Sequence, residues 1–188
     1  MSYPKKTSRE SILEAAIGLI EAHGLEQLSM RTLAAQLGVT PNALYRYFAS
    51  RADLEVAMAE EAGRLLLVAM EKAVGSKTGP DAFRAVAKTY LKFARQQPAL
   101  YALKMRYCKD EDDEPDSHKQ LWAAMLALVE GLQGPWKAED LAMTFWAYLH
   151  GLVELDKADL LEGRKPEAAV DLGLDVFLAG LLASQSRT

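Results

Sequence analysis

The sequence predicts an all-α protein of about nine helices. Apolar residues recur at spacings of three and four through nearly the whole chain, and no run alternates cleanly with the two-residue period of a half-buried strand. Capping hydroxyls, glycines and prolines mark most of the joins between periodic segments.

The first helix opens on Thr7 and Glu10, which have capping-box spacing, and carries Ile12, Leu13, Ala16, Ile17 and Ile20 on its apolar face. Gly24 stops it. Ser29 caps a short second helix with Leu33 and Leu37, closed by Gly38. Thr40 caps a third, with Pro41 at the first position, where a missing N–H costs nothing, and with Leu44, Tyr45 and Phe48 along it. Ser50 and Asp53 form a second candidate capping box and open a long fourth helix bearing Leu54, Met58, Ala62, Leu65 and Ala69. Gly75 to Pro80 reads as a loop. A fifth helix carries Phe83, Val86, Ala87, Tyr90, Leu91 and Ala94 and ends before Pro98. A shorter sixth spans residues 99–107, and an acidic loop follows from Asp110 to Asp116. The seventh carries Leu121, Trp122, Met125, Leu128, Val129 and Leu132, and Gly134-Pro135 closes it. The eighth runs from about Glu139 to Leu155 and the ninth from about Pro166 to Ala183. No repeat, low-complexity tract or flexible linker interrupts this order.

Composition narrows the class. Half of the 188 residues are apolar and 26% are charged, enough to build a core without covalent staples. The single cysteine, Cys108, can form no internal disulfide and reads as a packed thiol, so a reducing, cytoplasmic setting is expected. No apolar run follows Met-Ser-Tyr-Pro-Lys-Lys, so no signal peptide is expected, and no uninterrupted apolar run reaches the ~18 residues of a membrane span. Nucleophile–base pairing, metal-ligand spacing and a phosphate-cradling glycine loop are all missing from the pattern. The acidic loop lacks the sixth-position glycine and alternating ligands of a calcium hand. No enzyme activity, cofactor or metal is therefore expected.

Net charge is −4, which by itself argues against a nucleic-acid binder, but the distribution reverses the argument. Residues 1–50 hold five bases and four acids, leaving −5 for the remainder. No acid falls between Glu26 and Asp53, while Arg31, Arg46 and Arg51 do. In the same stretch two short helices are joined by a Gly38-Val39 turn, the left-handed position being one that glycine takes without strain. Leu33, Ala34, Leu37, Val39, Leu44 and Phe48 would pack the two helices together as a helix-turn-helix. Outside that packing stand Thr40, Pro41, Asn42, Ala43, Tyr45, Arg46 and Tyr47. They are small, polar, aromatic or basic, as a surface approaching base edges and phosphates should be. Tyr45 and Tyr47 lie on different faces, so one small bundle cannot bury both.

These residues carry a resemblance. A-A-I-G-L-I-E-A-H-G-L, then S-M-R-T-L-A-A-Q-L-G-V, then L-Y-R-Y-F and S-R-A-D-L resemble the N-terminal domain of TetR-family transcriptional regulators. Trp146, His150 and Gly151 in F-W-A-Y-L-H-G-L resemble the W-x-x-x-H-G element of one C-terminal domain type of that family. The resemblance implies a helix-turn-helix DNA-binding domain over residues 1–50 and a ligand-binding and dimerisation domain over 51–188. It places Tyr45 and Tyr47 on phosphates, Thr40 near a phosphate, and Asn42, Ala43 and Arg46 nearest base edges. Pro41 opens that helix, Arg31 and Thr32 reach the groove edge or backbone, and Arg51 reaches a phosphate. Ala49 departs from the lysine common there, which removes one phosphate contact.

The large side chains Tyr90, Phe93, Tyr101, Met105, Trp122, Met125, Phe145 and Trp146 have core spacing. The resemblance turns them into a deformable pocket for a small, largely apolar effector. His150 shares a face with Trp146 and stands either beside that ligand or, given Gly151, in close helix packing. The last two helices are implied to pair with those of a second copy, and the breadth of their apolar faces, including Leu152, Leu174, Phe177, Leu178 and Leu181, fits that role. Such a homodimer would set two recognition helices roughly 34–36 Å apart on a near-palindromic duplex operator. Repression is the commoner role in the family. A helical interaction module with a degenerate helix-turn-helix is the competing reading, and DNA binding by an Arg46→Ala, Tyr47→Ala variant separates the two.

Overall fold

The computed structural model describes residues 7–107, 116–130 and 136–185, and for residues 182, 184 and 185 the backbone alone. Cys108, most of the acidic loop and Gly134-Pro135 lie outside the described residues. Among those described, nine α-helices and one 3-10 turn account for all regular structure: α1 (Arg9–His23), the turn (Leu25–Gln27), α2 (Met30–Leu37), α3 (Pro41–Tyr45), α4 (Arg51–Val74), α5 (Gly79–Gln96), α6 (Pro98–Arg106), α7 (Asp116–Glu130), α8 (Ala138–Lys157) and α9 (Pro166–Gln185). The all-α architecture is as the spacing predicts.

Most helix ends follow the local chemistry. Gly38 is left-handed (φ 68°, ψ 30°), and Ser29 Oγ accepts the Thr32 N–H at 3.0 Å. Ser50 Oγ accepts the Asp53 N–H at 3.0 Å, while the Asp53 carboxylate accepts the Ala49 N–H at 2.9 Å. Two ends differ from expectation. The cap of α1 is Ser8, not Thr7: Ser8 Oγ accepts the Ser11 N–H at 3.2 Å and Ser11 Oγ accepts the Ser8 N–H at 2.9 Å. Glu10 falls inside the first turn, where hydrogen bonds from its own backbone N–H and from Ser8 hold its carboxyl below the ordinary range. The third helix is also shorter than the Leu44–Phe48 spacing implies, because regular α-structure ends at Tyr45. Tyr47 and Phe48 both donate their N–H groups to the Leu44 carbonyl, closing a turn that leads directly into α4.

The chain divides into two compact units. The first comprises the described residues of Met1–Arg64 and Gln97–His118. In it α1 packs on α2 and α6, and α2 on α3. Ile12, Ile20, Leu33, Leu44, Phe48, Leu54, Met58 and Tyr101 are fully buried. The N-terminus of α6 is capped from a distance: Glu21 on α1 accepts the N–H groups of Leu100 (2.8 Å) and Ala99 (3.3 Å). Gly63 lets Ser117 approach α4, since a Cβ there would stand 2.1 Å from the serine Oγ.

The second unit comprises the described residues of Leu65–Gln96 and Lys119–Thr188, with α5 packed on α8 and α9. Phe83 meets Phe145 edge-on at 4.9 Å, and Phe177 closes the cluster at 6.4 Å from the first ring and 6.1 Å from the second. A ladder of ion pairs covers the outside of this contact. Arg84 pairs with Asp175, Lys88 with Asp171 at 2.9 Å, and Arg95 with Glu167 at 2.6 Å and Asp156 at 2.8 Å. Single exposed pairs contribute little, but a network holds its members in register.

Gly173 sits against the Tyr148 ring, whose hydroxyl donates to the Ala169 carbonyl. A Cβ at Gly173 would fall 2.0 Å from that hydroxyl oxygen. Gly173→Ala is therefore expected to lower stability by about 1–3 kcal/mol despite alanine's better helix propensity. Urea unfolding measures this, and a stabilised variant would show that α8 and α9 pack less tightly.

Candidate nucleic-acid interface

The helix-turn-helix is assembled on a fully apolar joint. Leu33 and Ala34 of α2 and Leu44 of α3 are completely buried, and so is Phe48 just beyond. The Arg9 guanidinium lies 4.7 Å from the centre of the Phe48 ring, a cation–π contact that joins the start of α1 to the end of the recognition segment. That contact was not legible from helical spacing, since it joins residues far apart in sequence.

With the joint buried, the remaining side chains are forced outward. Thr40, Asn42, Tyr45, Arg46 and Tyr47 are exposed, and Pro41 and Ala43 half-buried. Tyr45 is 50% and Tyr47 39% exposed, so neither ring serves the core. Arg31 and Thr32 are exposed on α2. The outer face of α2, α3 and the turn that follows thus gathers two arginines, two tyrosines and small polar groups, with no acid in either helix.

Three of these residues also have partners inside the protein. The Tyr47 hydroxyl donates to the Thr7 carbonyl at 2.7 Å, tying the recognition segment to the chain just before α1. Thr32 Oγ1 lies 2.7 Å from Ser29 Oγ, within the cap of α2. Arg51, at the first position of α4, donates from Nε to Glu55 Oε1 at 2.7 Å and from its terminal nitrogen to the Leu25 carbonyl at 3.2 Å.

Glu55 was not among the residues the sequence singled out. It is 7% exposed and also accepts from the Tyr107 hydroxyl at 3.1 Å, with Arg106 at 3.7 Å. Burial, then the Glu55 charge, push the Tyr107 hydroxyl above its ordinary pKa, so it remains a donor at neutral pH. The available signal was an acid beside Leu54 and within one turn of the apolar positions Met58 and Ala59.

The residues read as an effector pocket fall in both units. Tyr101 is fully buried and Met105 half-buried, both on α6 in the first. In the second, Tyr90, Phe93, Met125 and Phe145 are buried and Trp122, Trp146 and His150 half-buried. Trp146 and His150 stack, with ring centres 5.7 Å apart. The leucines read as a dimer face, Leu152, Leu174, Leu178 and Leu181, are buried within the chain itself, and Phe177 is half-buried against Phe83 and Phe145. The outward apolar residues of α8 and α9 are others: Met143, Leu155, Leu172 and Val176, the last two 67% and 65% exposed. No helix among the described residues is long and apolar enough to cross a membrane.

The chain is similar to known proteins in both halves. Residues 12–58 match the model for bacterial regulatory proteins of the tetR family, and residues 83–177 match a tetracyclin repressor-like C-terminal domain. The chain is 28% identical over 163 residues to the HTH-type transcriptional regulator Rv0681 of Mycobacterium tuberculosis, covering 85% of this chain and 74% of that one. It is 28% identical over 134 residues to nucleoid occlusion factor SlmA of Glaesserella parasuis, covering 69% of this chain and 64% of that one. A solved structure of a Rhodococcus protein with unknown function superimposes with a TM-score of 0.86 at 26% identity, over 95% of this chain and 98% of the other. The chain belongs to the TetR family: it is a DNA-binding transcriptional regulator, not an enzyme.

Proposed function

We propose that the protein is an effector-responsive repressor that binds a near-palindromic duplex operator as a homodimer in the cytoplasm. DNA recognition belongs to residues 1–50, effector binding and self-association to 51–188. The observation that carries the reading is the exposed, acid-free face of α2 and α3 standing on a fully buried apolar joint. Asn42, Ala43 and Arg46 face the base edges, and Thr40, Tyr45 and Tyr47 the phosphates, with Pro41 starting the helix and Arg31 and Thr32 at the groove edge. The effector is a small, largely apolar molecule held by α5, α7 and α8 in the second unit, through Tyr90, Phe93, Trp122, Met125, Phe145 and Trp146. It acts by binding more tightly to a conformation that fits the operator poorly.

Self-association rests on the outward face of α8 and α9. Leu172 and Val176, one turn apart on α9, are both exposed, as are Met143 and Leu155 on α8, and neighbouring exposed apolar side chains mark interaction surfaces. Leu172→Asp with Val176→Asp is expected to convert the protein to a folded monomer in sedimentation velocity and to weaken operator binding at least 100-fold, because each half-site is then bound alone. A variant that sediments as the wild type would remove this face from the interface.

A further inference from the structure

We infer that Arg51 serves DNA recognition as a positioning residue, clamping the helix-turn-helix from inside rather than holding a phosphate. The inference rests on the DNA-binding reading above and refines it.

Arg51 follows the recognition segment immediately, and one of its two acceptors, the Leu25 carbonyl, lies in the turn that precedes the helix-turn-helix. The other acceptor, Glu55, is on α4 one helical turn further on. One guanidinium thus bridges the chain entering the helix-turn-helix and the chain leaving it. Glu55 makes this bridge costly to break. A carboxylate 7% exposed must be compensated by charged partners and hydrogen bonds, and Arg51 makes the shortest contact, the Tyr107 hydroxyl donating at 3.1 Å and the Arg106 guanidinium standing as an ion-pair neighbour at 3.7 Å. Turning the guanidinium out to a phosphate would leave that carboxylate to two longer contacts and leave the Leu25 carbonyl without this donor. The planar fork suits the task, because it reaches a carboxylate and a carbonyl at once, and a lysine ammonium at the end of a flexible stem does not hold that geometry.

The two roles predict opposite signs at Glu55. A phosphate-binding Arg51 would be freed, and local negative charge lost, by Glu55→Gln, so DNA binding would hold or tighten. A positioning Arg51 loses its anchor, and binding weakens. The test is fluorescence anisotropy on an operator duplex over a salt series, with the full-length wild type and Arg51→Gln, Arg51→Lys, Glu55→Gln, the Arg51→Gln/Glu55→Gln double variant and Tyr107→Phe, each checked by circular dichroism for its fold. Expected are losses of roughly tenfold for Arg51→Gln and Glu55→Gln, a double variant no weaker than either single, failure of Arg51→Lys to restore affinity, and an unchanged slope of log affinity against log salt. Tyr107→Phe, which removes one hydroxyl, gives a loss in the same direction with the same slope and serves if Glu55→Gln does not fold. The inference is overturned if Arg51→Gln lowers the salt slope by about one, if Arg51→Lys restores binding, or if Glu55→Gln binds as well as the wild type. A wild type that binds no duplex overturns the DNA-binding reading itself, and the inference with it.

Discussion

Replacing Phe48 with alanine is expected to lower the stability of the chain by about 3–5 kcal/mol and to abolish operator binding. Phe48 is fully buried and ranks among the largest side chains in that state. It lies where the recognition segment turns into α4, in the unit whose core also buries Leu33, Leu44 and Leu54 completely. Removal loses the transfer free energy of the ring and leaves a cavity that the surrounding helices cannot fill without losing their own contacts. The Arg9 guanidinium, now 4.7 Å from the ring centre, loses its cation–π partner as well. Urea unfolding of the wild type, Phe48→Ala and Phe48→Leu measures the effect. The leucine variant should retain most of the stability, since it refills part of the volume. A loss below about 1 kcal/mol for the alanine variant would show that the joint is held elsewhere.

The second large effect is one of function without fold. Tyr45→Ala combined with Arg46→Ala is expected to weaken operator binding at least 100-fold, each lost contact being worth roughly 1–3 kcal/mol. Far-UV circular dichroism and the urea midpoint should stay near those of the wild type. Tyr45 is half exposed and Arg46 exposed, and among the described residues neither side chain makes a hydrogen bond or ion pair. Tyr47 is the less clean choice, because its hydroxyl also holds the Thr7 carbonyl. If the double variant binds the operator normally, the face of α3 is not the reading surface.

Which features the sequence made legible follows from their range. Helical periodicity is local, so each of the nine α-helices could be placed from spacing, and Gly38 and Ser29 from the backbone conformation and cap they supply. At α1 local chemistry was ambiguous. Thr7 and Ser8 both offer a hydroxyl, and Glu10 has box spacing from Thr7, but the reciprocal bonds form between Ser8 and Ser11. At α9 the pattern was ambiguous in another way. The helix is apolar on nearly every side, so periodicity could not separate Leu174, Leu178 and Leu181, which face the core, from Leu172 and Val176, which face outward. Glu21 on the end of α6, Arg9 over Phe48 and Arg51 on Leu25 are contacts across long stretches of chain, and no spacing rule contains them.

The central claim is that the exposed face of α2 and α3 reads a duplex sequence, twice over, in a homodimer. Selection from a randomised duplex library at fixed, physiological salt tests it most directly, because non-specific phosphate attraction falls steeply as salt rises and base-edge contacts then decide enrichment. The account predicts an enriched inverted repeat with half-site centres about one helical turn, roughly 34–36 Å, apart. A library that emerges unenriched, or a single unrepeated half-site, would contradict it.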